Sequence, residues 1–153
     1  MLKLMYITND PAVAKIAADA GVDRIFIDME VLGKAERQGG MDTVQSHHVP
    51  EDIAKVRAAI GNKAEIMARV NPLNPNSQTE IDASIENSAD VIMLPMWRTT
   101  DDLRQLVSMV DGRAKVMPLL ETDTAADNLP ETVKVPGIDQ MHIGLNDLHL
   151  CYH

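Results

Sequence analysis

The stretch DAGVDRIFIDME, residues 19–30, sets the pattern for the chain. Gly21 is placed to end a helix, Asp23 follows, and RIFID is a short apolar run that finishes on acids. The arrangement returns in ENSADVIMLP at 86–95 and in VPGIDQMHIG at 135–144. Each copy has a small residue or a helix end, then an aspartate, then mostly apolar residues. This reads as an internal echo of repeated helix–turn–strand units within one domain.

Working outward, strands are predicted at 3–7, 24–30, 64–70, 90–96, 115–121 and 140–144. Helices are predicted from Asp10, with Pro11 in the first turn, and from about Pro50 to Ile60. Two more are SQTEIDASIENS at 77–88 and TTDDLRQLVSMV at 99–110, the latter with a threonine cap. TDTAADNLPETVKV at 122–135 is helical in part, broken or bent at Pro130. A polar, glycine-containing segment, LGKAERQGGMDTVQSHH at 32–48, separates the second strand from the next helix. Short apolar strands alternating with helices predict a mainly parallel sheet. Six strands leave two architectures: an open doubly wound sheet, or a β/α barrel lacking its last units, since eight units usually need about 250 residues.

The 153 residues suit a single domain, and 45% hydrophobic with 24% charged residues is a globular composition. The formal charge of −9 argues against nucleic acid or an anionic membrane as partner, because either needs a basic face. It leaves room for a small anion held by one arginine or a metal. Asn9, Asp10 and Pro11 interrupt the N-terminal apolar stretch before it reaches signal-peptide length, and no run is long enough to cross a bilayer, so a cytoplasmic protein is expected. The lone Cys151 cannot form an internal disulfide. Ten methionines against one phenylalanine predict a core filled by flexible side chains.

In both architectures ligands gather beyond the carboxyl ends of the strands. Asp28 and Glu30 end the second predicted strand, Arg69 and Asn71 the third, Glu121 the fifth, and Asn146 with Asp147 the sixth. The fourth ends in Pro95 and Met96, which offer a wall and little chemistry. Glu121 and Asp147 lie 26 residues apart, roughly one βα unit, so neighbouring strands can bring both carboxylates to one place. Two close carboxylates repel unless they share a proton or a divalent cation, and hard oxygen ligands favour magnesium or manganese. The plainer alternative for either acid is a helix cap or a solvent-facing turn. Arg69 suits a carboxylate or enolate oxygen through two parallel hydrogen bonds. Its plainer alternative is an ion pair with Asp28, Glu30 or, least readily, Glu65 at the far end of its own strand. Gly144 lets a ligand approach the backbone. His47 and His48 can supply or orient a base, or simply line an exposed loop, while His142 reads as packed in its strand. Phosphate-loop, dinucleotide, HExxH, CxxC and nucleophile-elbow patterns are absent.

GVDRIFIDME, GKAERQ, ARVNP, DVIMLPM, MPLLET and PGIDQMHIGLNDL, in that order over nearly the whole chain, resemble the HpcH/HpaI aldolase and citrate lyase beta-subunit family of the phosphoenolpyruvate/pyruvate superfamily. The resemblance implies a TIM-type (β/α)8 barrel, here ending after about six strands. It implies a divalent metal, Mg2+ or Mn2+, on Glu121 and Asp147, and Arg69 on the pyruvyl or enolate oxygens. Gly144, Leu145 and Asn146 of the same motif are the expected substrate-binding stretch. Aldolases of the family carry a histidine directly after the strand-two glutamate. Here Glu30 is followed by Val31, which cannot move a proton, so His47, His48 or a metal-bound water held by Glu30 would have to substitute.

The resulting expectation is a metal-dependent carbon–carbon lyase, an aldolase acting on a 2-oxo acid or aldehyde. An acyl-thioester lyase of the malyl, citramalyl or citryl type is the second reading. The third is a truncated binding or scaffold protein without turnover. Family members continue past LNDL, so a fragment lacking about two βα units is expected, with apolar edges exposed, and a homo-oligomer in the full-length form.

Overall fold

The structure, a computed structural model, describes residues 2–33 and 46–152. Lys34 to Gln45, with most of the GKAERQ motif, lie outside the described residues. The strands are β1 (Met5–Ile7), β2 (Arg24–Asp28), β3 (Glu65–Arg69), β4 (Val91–Leu94), β5 (Lys115–Leu120) and β6 (His142–Ile143). The helices are α1 (Pro11–Asp19), α2 (Pro50–Ile60), α3 (Ser77–Glu86), α4 (Thr100–Val110), α5 (Asp123–Asp127), α6 (Leu129–Thr132) and α7 (Leu145–Cys151). The strands form one sheet in chain order, β1 to β6, and all five pairings are parallel. This order decides between the two architectures. A doubly wound sheet reverses direction at a switch point, whereas a barrel winds one way, so the sheet is a curled, incomplete barrel.

Local chemistry places the helix starts where the sequence predicts them. Asp10 caps α1 by accepting from the N–H groups of Ala12 and Val13 at 2.7 and 3.1 Å, with Pro11 in the first turn. Thr99 caps α4 through a reciprocal box with Asp102. The predicted 122–135 helix is split at Asn128, with Pro130 in the first turn of α6, where its missing N–H costs nothing. β6 is shorter than its predicted five residues.

Side-chain alternation divides the core in two. Ile25, Ile27, Ile66, Ala68, Ile92 and Leu94 face the helix layer and pack there with Ile53, Val56, Ile81, Leu103 and Leu106. Phe26, Met67, Val91, Met93, Met117 and Leu119 fill the concave face with less than a tenth of their surface exposed. With Met5 packed against them, four of these seven residues are unbranched thioethers, able to shape themselves to a narrowing space.

The echoed aspartates have a common structural role. Asp23 accepts from the backbone N–H of Leu4 at 2.9 Å, Asp90 from Ile66 at 2.7 Å, and Asp139 from Val116 at 2.8 Å. Each sits just before an even-numbered strand and grips the chain entering the strand before it. The internal echo is therefore a clamp repeated at the amino ends of β1–β2, β3–β4 and β5–β6. At the sheet's two outer strands, Leu2, Leu4 and Ile7 on one side and Ile143, Leu145 and Tyr152 on the other are exposed by half or more. Among the described residues no helix is long and apolar enough to cross a membrane.

Candidate functional site

At the carboxyl end of β2, a spacing of two carries Arg24, Phe26, Asp28 and Glu30 along the concave side. Asp28 lies directly beside Arg69 in the parallel register. Its carboxylate takes the guanidinium in a two-pronged grip, from Nε at 2.8 Å and Nη2 at 2.9 Å. Glu30 approaches the same Nε at 3.4 Å. The guanidinium lies over the Phe26 ring, 5.3 Å from its centroid, which adds a cation–π contact beneath it. The ion pair offered as the plain alternative for Arg69 is thus present, with Asp28. It leaves Nη1 without a hydrogen bond to any described residue.

Glu121 follows β5 on the same concave side and is only 3% exposed. The cap of α5 falls to its neighbour Thr122, which accepts from Ala125 N–H at 3.1 Å. Glu121 is therefore neither a cap nor a solvent-facing turn residue. Its Oε1 accepts the backbone N–H of Met96 at 2.9 Å, and Met96 has a left-handed φ of 54° to aim that group. Such a conformation in a non-glycine residue costs about 1–3 kcal/mol and persists where the surroundings enforce it. The segment after β4, expected to be a mere wall, thus holds a site carboxylate through its main chain. Nothing in the sequence signals this, because every residue but proline carries the same N–H.

Gly144 closes β6, and its N–H donates to Leu120 O at 2.9 Å, pressing this turn against the Glu121 segment. A Cβ at Gly144 would stand 3.0 Å from both Cβ and Oε2 of Glu121 and 3.1 Å from Leu119 Cδ1. Any side chain here would have to push the Glu121 and Leu119 side chains aside. Asp147 comes next, in the first turn of α7, with 8% of its surface exposed; Gly144, not Asp147, occupies the cap position. Leu145 and Asn146 point to the exposed side of this turn.

The electrostatics confirm that these groups sit together. Burial pushes the Glu121 carboxyl up to about 7; the Met96 N–H pulls the other way, the charges of Glu30 and Asp147 push it further up, and Arg69 opposes them. Burial also works against the Arg69 charge, but the Asp28 hydrogen bonds and the charges of Asp28, Glu30 and Glu121 outweigh it and hold the guanidinium protonated. Among the described residues, the charges of Asp28, Glu30 and Glu121 bear on this guanidinium, and that of Asp147 bears on Glu121.

The two predicted histidines part company. His47 is exposed, whereas His48 is half-buried and its Nδ1 accepts the backbone N–H of Asp28 at 3.0 Å. An imidazole that accepts at Nδ1 carries its own proton on Nε2 and is a donor there. Val31 is exposed, and its N–H, like that of Leu32, donates to Asn71 Oδ1 at 2.9 Å. Asn71 is in turn held by Glu80 of α3, which makes it the anchor of the loop leaving Glu30. His142 is half-buried, and burial lowers its pKa, with the charges of Arg69 and Arg24 adding to the effect.

The donor set fits a hard divalent cation. Glu121 and Asp147 offer hard oxygen donors, and magnesium is commonly held by one or two carboxylates, with water and substrate completing the shell. Among the described residues no three histidine, cysteine or carboxylate side chains gather at metal-binding geometry.

A family model described as HpcH/HpaI aldolase/citrate lyase matches residues 3–151. An HpcH/HpaI aldolase/citrate lyase family protein from Burkholderia cenocepacia J2315 superposes with a TM-score of 0.77 at 18% identity, over 98% of this chain and 66% of that one. Citrate synthase SbnG gives 0.76 at 16% identity, over 98% and 63% of the two chains. An HpcH/HpaI aldolase from Desulfitobacterium hafniense DCB-2 gives 0.73 at 14% identity, over 98% and 65%. At these identities the likeness is one of fold, and the chain spans about two thirds of the length of each. No curated protein matches the chain in sequence.

Proposed function

Since this chain belongs to the HpcH/HpaI aldolase/citrate lyase family, we propose that it is a divalent-metal-dependent carbon–carbon lyase acting on a 2-oxo acid through its enolate. The observation that carries this reading is the grouping of buried acids at the carboxyl ends of the strands, where burial and the charges of Glu30 and Asp147 push Glu121 up to about 7. Buried acids in that number need a cation to stay ionised together. Glu121 and Asp147 would hold magnesium or manganese. The ion, when bound, supplies Lewis-acid charge that stabilises an enolate oxygen.

The chain's own groups do the rest. Asp28 fixes the plane of Arg69, and the outer Nη1 edge is offered to the carboxylate or enolate oxygen of the substrate. Glu30, buried beside that guanidinium, accepts the hydroxyl proton of the aldol as its carbon–carbon bond breaks. The electron pair of that bond comes to rest on the 2-oxo acid as its enolate, and the aldehyde leaves. His48, with Nδ1 occupied by Asp28, serves as an Nε2–H donor in place of the missing histidine after Glu30.

Calorimetric titration of chelator-treated protein with manganese, then with pyruvate, tests the reading. Pyruvate is expected to bind only after manganese. Equal pyruvate binding with and without manganese, or none in either state, would overturn it.

A further inference from the structure

The first residues of five strands, Met5, Arg24, Glu65, Lys115 and His142, line a cavity of about 910 Å³ at the amino end of the sheet, the end away from Glu121 and Asp147. The chain carries a formal charge of −9, yet five lysine or arginine side chains line this cavity against three acidic ones. Two of the acids are matched one to one, Asp23 by Lys3 at 3.1 Å and Asp90 by Arg57. Lys63 turns to Asp19, which is not part of the wall. Glu65 alone is left to two cations.

Arg24 spends Nε and Nη2 on Glu65 Oε2, at 3.2 and 2.5 Å, and Lys115 takes Oε1. One carboxylate thus stands against two positive charges. The Nη1 group of Arg24 has only the thioether of Met117 to donate to, at 3.3 Å, although Arg24 is 8% exposed. A thioether is a weak acceptor, so this buried guanidinium is short of a partner on one side. His142 is half-buried and lies beside Leu119 in the parallel register, on the concave face. Neither its ring nor the Gln140 amide of the same wall has a hydrogen-bond partner among the described residues. With its pKa lowered by burial and by the charges of Arg69 and Arg24, the His142 ring is neutral at pH 7 and still has one N–H to donate.

We infer that this cavity is a second binding site, which takes a phosphate dianion through Arg24 Nη1, Lys115 and His142. A phosphoryl group brings close to two negative charges and three acceptor oxygens, and the wall offers a guanidinium edge, an ammonium and an imidazole to meet them. A carboxylate has one charge and two oxygens, and would leave one of these donors unmet. The volume falls in the range of small-molecule sites, which leaves room for the remainder of a small phosphomonoester. None of the residues assigned to the metal or to the 2-oxo acid takes part, so this site and the proposed function stand or fall separately.

The test is calorimetric titration of the 153-residue protein in about 0.15 M sodium chloride, with inorganic phosphate and, separately, with glycerol 3-phosphate. Saturable binding at one site is expected for at least one of them. Tighter binding of the ester identifies a phosphorylated metabolite as the source of the group, and equal or weaker binding identifies free phosphate. Because Arg24 is buried against Glu65, the variants are the less buried Lys115→Gln and His142→Ala. Each should weaken binding roughly fivefold. Arg104→Gln, which removes a cation from the exposed side of α4, should leave the affinity unchanged. Absence of saturable binding by either compound overturns the proposal. So does an affinity unchanged in both cavity variants, or a fall in Arg104→Gln as large as theirs.

Discussion

Glu65 and Glu121 stand on the same concave face of the same sheet, one at its amino end and one at its carboxyl end, and they are pushed in opposite directions. Burial raises the pKa of Glu65, but hydrogen bonds from Lys115 and Arg24 outweigh it and leave that pKa lowered. Burial raises that of Glu121 too, and its neighbours Glu30 and Asp147 add to the rise until it stands at about 7. The amino end is a settled network, in which Arg24 binds Glu65 through Nε at 3.2 Å and Nη2 at 2.5 Å while Lys115 takes its other oxygen. Among the described residues, the carboxyl end groups four acids with one arginine. Opposite charges in contact hold a carboxylate ionised, whereas burial among like charges pushes it towards its protonated form.

The comparison breaks most sharply under Glu121→Ala or Asp147→Ala. Either change should cut manganese affinity by about a hundredfold or more, with the circular dichroism spectrum unchanged. Normal metal binding in both variants would remove the site assignment.

Acidity sharpens the contrast next. With its folded value raised from 4.5 to about 7, Glu121 contributes stability that is complete below 4.5 and is lost as the pH rises through 7. The loss amounts to about 3 kcal/mol in metal-free protein, and Glu121→Gln should abolish it. Denaturant melts between pH 4.5 and 8.5 measure this, and saturating manganese should restore the stability at the upper end. A metal-free protein whose Glu121-dependent stability is flat over that range would contradict the crowding of acids described above.

At the opposite end, Glu65→Gln should cost about 2 kcal/mol of stability, because it strips the buried Arg24 of its partner in a half-open network. Its manganese affinity should match the wild type, and a loss there would mean the two ends are coupled. The smallest effect belongs to Arg69→Lys, which keeps the charge and gives up the fork. Pyruvate affinity should fall about tenfold on the manganese-loaded protein. Unchanged affinity would assign Arg69 to its pairing with Asp28 alone.

Much of this was legible in one dimension. The alternation of strands and helices, the Asp10 and Thr99 caps and the aspartate echo were readable because they rest on local hydrogen bonds and side-chain period. The positions of Glu30, Arg69, Glu121 and Asp147 were equally so, since polar residues closing apolar strands stand out against their neighbours. The parts played by Met96 and Asn71 were not. One acts through a main-chain N–H in an uncommon conformation, and the other acts by tying two loops together, and neither device leaves a mark in composition or spacing. The paired histidines could not be separated either, because adjacent residues with the same chemistry differ only in which one the fold turns inward.

By itself the sequence determined which residues could be strands, which helices, and where acids and an arginine would end those strands. Those properties follow from side-chain period and from backbone groups that find partners within a few residues. Tertiary structure alone decided that the strands run in chain order around a curl, that Asp28 takes the two-pronged grip on Arg69 with Glu30 beside it, and that Met96 turns its N–H to Glu121. Each of these depends on partners brought together across the chain, whose competition for a few charged groups is settled only when the sheet closes on them.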